Sequence, residues 1–153
     1  MSVRIRPLAS NLRNNNVKTL IKDTEIQIGD RVIEYYPYYF GILDYDQDHR
    51  ECVKSVLSQW ATALRQLGSQ DEILHLPYSL DDEWVWCFRA TVVDGKIALR
   101  CVQVSANGYA MNLDDLTEDM RSDYIYHQEM FQDFGIYEPN ELITSFAEAE
   151  VAT

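Results

Sequence analysis

Carboxylates are the residues of this chain whose spacing could do chemistry. Asp44-Tyr45-Asp46-Gln47-Asp48 sets three of them at alternate positions, a pattern able to hold a hard cation through oxygen ligands. An EF-hand does not follow from it. Counting from Asp44, the required glycine position holds His49 and the bidentate glutamate position holds Ser55. The three aspartates therefore read as a solvated turn with N-cap and first-turn acids, which a helix dipole favours. Asp81-Asp82-Glu83 reads as a charged turn, or as the rim of a surface for a cationic partner. Asp114, Asp115, Glu118, Asp119 and Asp123 form the densest acidic group. On a helix, Asp115, Asp119 and Asp123 would share one face at i, i+4 and i+8, where like charges cost stability. Such a face is either simply solvated or kept for binding.

Other chemistry finds little support. His49, His75 and His127 lie far apart, and nothing near His49 and Cys52 completes a tetrahedral metal set. Three cysteines, Cys52, Cys87 and Cys101, make a poor disulfide framework and read as reduced, buried, small hydrophobes. There is no G-x-S-x-G, P-loop, G-x-G-x-x-G or H-E-x-x-H. With six glycines in the chain, a phosphate cradle has little material. No catalytic residue, metal or cofactor is expected.

The elements that must position these residues follow from periodicity. Apolar residues from Cys52 to Leu67 recur at three- and four-residue steps, which predicts an amphipathic helix over 48–67 with Gly68 beyond its end. Residues 83–104 alternate on either side of Asp94-Gly95, predicting a β-hairpin with a tight primed turn. Val17–Ile21, Thr24–Ile28, Arg31–Phe40 and Ile73–Leu76 are shorter strand candidates. Pro37 and Pro77 would interrupt or close two of them. Leu116, Met120, Tyr124, His127, Phe131 and Phe134 fall at helical steps, with a strand possible around Ile125. A last helix is expected over Glu141–Glu148. The order predicts an α+β fold in one domain over 1–153: an antiparallel sheet, a central hairpin, one long helix and C-terminal helices. Residues 1–16 are a possible flexible arm and 149–153 a frayed end.

Composition bounds the function. The chain has 153 residues, 46% hydrophobic and 25% charged, with net charge −12, as expected of a folded globular chain. The longest apolar runs are too short to span a bilayer, and no apolar run follows Arg4 and Arg6, so the chain reads as cytoplasmic. Residues 1–22 carry five bases and no acid, whereas residues 101–153 carry eleven acids against one base, Arg121. That field repels nucleic acid and anionic membrane and attracts cationic partners.

Ten tyrosines sharpen the reading. Tyr35, Tyr36, Tyr38, Tyr39 and Tyr45 cluster, and Tyr124 and Tyr126 adjoin the acidic group. Tyrosine beside carboxylate suits an interface aimed at lysine and arginine. In size, acidity, α+β pattern and the stretch Leu76-Pro77-Tyr78-Ser79-Leu80-Asp81-Asp82-Glu83-Trp84 running into a hairpin, the chain resembles small bacterial immunity proteins that neutralise polymorphic or contact-dependent toxins. The resemblance implies a non-enzymatic inhibitor of a cognate basic toxin domain such as a nuclease. The resemblance carries over no residue; the acidic groups and their adjoining tyrosines supply the candidate contacts, Asp81, Asp82, Asp114, Asp115, Glu118, Asp119, Asp123, Tyr124 and Tyr126. The alternative is a small enzyme or ligand-binding domain with a pocket of Trp84, Trp86 and Tyr35–Tyr39, and Asp44 and Asp46 as its polar groups. A homodimer is compatible with either, since a long hairpin leaves an edge to pair.

Overall fold

Asp94 and Gly95 both adopt positive φ, 50° and 76°, the pair of conformations whose twist matches that of antiparallel strands. They join β5 (Trp84–Val93) to β6 (Lys96–Ser105) in unbroken register. This is the expected hairpin, and a sheet grows on it. The computed structural model describes residues 1–13, 21–35, 49–80, 83–127 and 131–151. In it β4 (Ile73–Leu80) pairs with β5, while β7 (Ile125–Tyr126) and β8 (Gln132–Tyr137) both pair with β6. A second sheet has the order β3-β2-β1-β9, from β1 (Val3–Arg13), β2 (Ile21–Ile28), β3 (Arg31–Tyr35) and β9 (Glu150–Val151). Its pairings are antiparallel except that of β1 with β9. The class is α+β.

The amphipathic stripe makes α1 (His49–Leu64), and its apolar face fills the main core. Val53, Val56, Leu57, Trp60, Ala61, Ala63 and Leu64 are all buried. The Trp60 ring meets Phe88 of β5 edge-on at 6.0 Å. It meets Phe146 of α3 (Pro139–Ala147) edge-on at 5.4 Å. Phe88 in turn stacks at a tilt on Tyr78 and Phe134. Edge-to-face aromatic pairs add to the burial of their area. The same buried cluster includes Val3, Ile5, Ile26 and Ile28 of the second sheet, so the two sheets share one core. A smaller cluster of Leu80, Val85, Cys87, Val102 and Val104 lies on the opposite face of the hairpin, under Tyr124, Tyr126 and Phe131.

The structure departs from the sequence expectations at several elements. Pro77 does not close a strand at Leu76, because β4 runs on to Leu80 with a register shift between Pro77 and Ser79. As an edge strand, β4 tolerates a residue without an N–H. Lys22-Asp23 does not split β2. The stretch Leu113–Phe134 is helical only in α2 (Thr117–Arg121). Beyond it Ile125 and Tyr126 take ladder positions beside Ser105 and Val104. Gly135 ends no helix. Its φ of +101° lies within β8, at the bulge opposite Ala98 and Arg100. Residues 3–13 are an inner strand rather than an arm, with Val3 and Ile5 buried. Glu150–Val151 pair with β1 rather than fray. The expected strand from Tyr36 to Phe40 lies outside the described residues.

Trp60→Ala removes the ring that ties α1 to β5 and α3. Urea unfolding should show a loss of about 3–5 kcal/mol, as for other buried aromatic deletions. A loss below about 1 kcal/mol would mean that the core does not depend on this contact.

Candidate functional site

The acidic group is built on a turn and one short helical segment. Leu116 and Met120 are buried and pin it to the core. Four consecutive amides, those of residues 114–117, each have an acceptor. Asp114 N donates to Asn112 Oδ1 (3.0 Å) and Asp115 N to the Asn112 carbonyl (3.0 Å). Leu116 N donates to Gln59 Oε1 (2.7 Å) and Thr117 N to Asp115 Oδ1 (3.1 Å). The Thr117 hydroxyl also donates to Asp115 Oδ1 at 2.6 Å. From α1, Gln59 Nε2 donates to the Leu113 carbonyl at 2.7 Å. Arg121 closes the far end through Asp71 (3.1 Å), Gln66 Oε1 (2.8 Å) and the Thr117 carbonyl (3.0 Å).

This arrangement leaves the carboxylates outward. Asp114, Asp115, Glu118 and Asp123 are exposed, and Asp119 is half-buried. Asp115 and Asp123 lie outside α2, so the expected i, i+4, i+8 face does not form. The charges still feel one another. Burial, then Glu118, then Asp115 raise the Asp119 carboxyl above its ordinary range. Asp115 is held below it by the Thr117 hydroxyl and amide. Among the described residues, no ion pair engages any of these five acids. Arg121, the base inside the acidic third, is committed to Asp71. Two of the N-terminal bases pair elsewhere, Arg4 with Glu150 and Arg6 with Glu25. Asp81 and Asp82 lie outside the described residues.

Tyr124 and Tyr126 sit beside this segment, and a histidine absent from the expected site organises them. His75 on β4 stands opposite Arg89 on β5. Its Nε2 and the Tyr126 hydroxyl share a hydrogen bond, and its ring meets Tyr124 edge-on at 5.1 Å. The Tyr124 hydroxyl donates to the Asp119 carbonyl at 2.7 Å, and the Arg89 guanidinium lies over the Tyr126 ring. Burial, then the charge of Arg89, lowers the His75 pKa to about 4, with Asp123 opposing. Burial above all pushes Tyr124 up to about 12. The cluster is neutral at its centre, and both tyrosine hydroxyls are engaged within the chain. No residue spacing announces His75, Arg89 or Gln59. They meet the acidic segment only through the β4–β5 register and the packing of α1.

The pocket expected for a small enzyme is not assembled among the described residues. The Trp84 ring meets His127 edge-on, while Trp86 packs against the main core. Tyr36, Tyr38, Tyr39, Asp44 and Asp46 lie outside them. Cys87 and Cys101 are buried and Cys52 is half-buried. Burial raises both buried thiols, Cys101 to about 11, so they stay protonated at neutral pH and are poor nucleophiles. No helix among the described residues is long and apolar enough to cross a membrane.

The fold is one found in a toxin and immunity complex. The solved chain it matches belongs to the CdiA-CT/CdiI toxin and immunity complex from Enterobacter cloacae, with a TM-score of 0.52 over 95% of this chain and 98% of that chain. Identity is 12%, so the likeness is one of fold. No protein family profile and no curated protein matches the sequence.

The state of His75 is open to test through pH. Its native pKa, about 4, lies below the ordinary 6.5, so the unfolded chain takes up this proton first as pH falls. Stability from this group is full above about pH 6.5 and drains away down to about pH 4. His75→Gln should remove that component. Between pH 7 and pH 5 the urea midpoint should fall further for the wild type than for the variant. Equal falls would show that His75 is not held neutral.

Proposed function

We propose that this chain is an immunity protein that binds a cognate toxin domain of basic character in the cytoplasm and neutralises it. The observation that carries the reading is the end-to-end match to a chain of a toxin and immunity complex. The acidic segment supports it. Among the described residues no ion pair engages its five carboxylates, and the turn that leads into it is fastened to the core. A toxin surface that grips phosphates, as a nuclease must, presents lysine and arginine, and such a surface is complementary to this one. Long-range attraction would speed encounter, and desolvated pairing at the centre would slow release. The half-buried tyrosines contribute ring area at the margin, a common feature of binding centres.

Asp114→Lys combined with Glu118→Lys reverses two exposed charges while leaving Asp115 to shape the turn. Capture of a cognate toxin domain, sought among the products of the adjoining genes, should weaken by about a hundredfold, roughly tenfold for each reversal. The melting temperature should stay within a few degrees. Unchanged capture by the double variant would remove the segment from the interface.

A further inference from the structure

The immunity reading needs the acids to be present. It does not say what holds them in one arrangement. Three of the four amides from 114 to 117 are satisfied inside the turn, by Asn112 and Asp115. Those contacts shape the turn but do not register it on the rest of the chain. Gln59 does. Its carboxamide spans the turn from below, accepting from Leu116 N and donating to the Leu113 carbonyl, both at 2.7 Å. The side chain lies half-buried on α1, one residue before Trp60, which is wholly buried in the core. Beside the buried Leu116 side chain, the turn's backbone is therefore tied to a rigid element through one neutral side chain.

We infer that Gln59 is a positioning residue for partner recognition. It holds the 113–116 turn in the binding arrangement before the partner arrives, although it carries no charge. This rests on the immunity reading. The physical reason is the population of the competent form. Mutual repulsion among Asp115, Glu118 and Asp119 favours spreading of the segment, and a partner that needs one arrangement binds in proportion to the fraction that has it. If that fraction falls to about a tenth, the apparent dissociation constant rises about tenfold.

Charge and geometry make opposite predictions for one substitution. Gln59→Glu keeps an acceptor for Leu116 N, loses the donor to the Leu113 carbonyl, and adds a negative charge under an already acidic surface. If recognition depends on charge alone, a basic toxin binds this variant at least as tightly as the wild type. If Gln59 positions the turn, Gln59→Glu binds about tenfold more weakly and Gln59→Leu more weakly still. Amide hydrogen exchange at Leu116 should accelerate by at least about tenfold in both variants, while the amides of the β5–β6 hairpin keep their protection. The probe is the basic toxin domain captured by the wild-type chain from the products of the adjoining genes, titrated onto each intact variant. Equal or tighter binding by Gln59→Glu, or unchanged exchange at Leu116, overturns the positioning role even when the wild type binds. Failure of the wild type to bind overturns the immunity reading, and the positioning role with it.

Discussion

Trp60 lies wholly buried at the point where three elements meet. Its ring is held edge-on by Phe88 from the hairpin sheet and by Phe146 from α3. Through Phe88 the contact continues to Tyr78 and Phe134, so three strands and two helices converge on one aromatic assembly. Close packing of this kind fixes relative positions to within a few tenths of an ångström, because interiors leave no slack for side chains to slide. α1 is thereby rigid against the sheet. Everything that α1 presents on its other flank, the Gln59 carboxamide included, inherits that rigidity.

The acidic segment shows what such a frame permits. Like charges gathered on a short turn oppose compaction, and a five-residue helical segment is too short to hold itself together. The segment stands because its stabilisation comes from elsewhere. Leu116 and Met120 are inserted into the core, Gln59 and Arg121 grip the backbone, and Tyr124 holds the Asp119 carbonyl. Groups that face inward from the core side carry most of the structure, which leaves Asp114, Asp115, Glu118 and Asp123 exposed. Arg121 illustrates the division: the base nearest the acids is turned to Asp71 and Gln66 and does not quench the surface.

What could be read from the sequence follows from the range of the forces involved. Asp94-Gly95 and the strict alternation around it are local signals, and the hairpin formed where they stood. The stripe from Val53 to Leu64 is also local, and α1 formed. The stretch after Leu113 misled because Leu116, Met120, Tyr124, His127, Phe131 and Phe134 recur at helical steps, while the deciding influence is the side of β6, about twenty to forty residues upstream, where Ile125–Tyr126 and β8 dock. Strand β1 was missed because Arg4, Arg6 and the polar residues after Ser10 give no local strand signal; it is held by β2 on one side and by β9, from the far end of the chain, on the other. At the site, the acids were visible as composition. Their support was not, because a glutamine on the flank of an amphipathic helix looks like any solvated residue, and His75 gains its role only from register with Arg89.

The proposed role of this fold and this surface is to silence a toxin. The direct measurement is growth of cells that express a candidate toxin domain from the adjoining genes, with and without this chain at matched levels. The account predicts arrest without it and full growth with it. Arrest that persists while both proteins are present and folded would contradict the account.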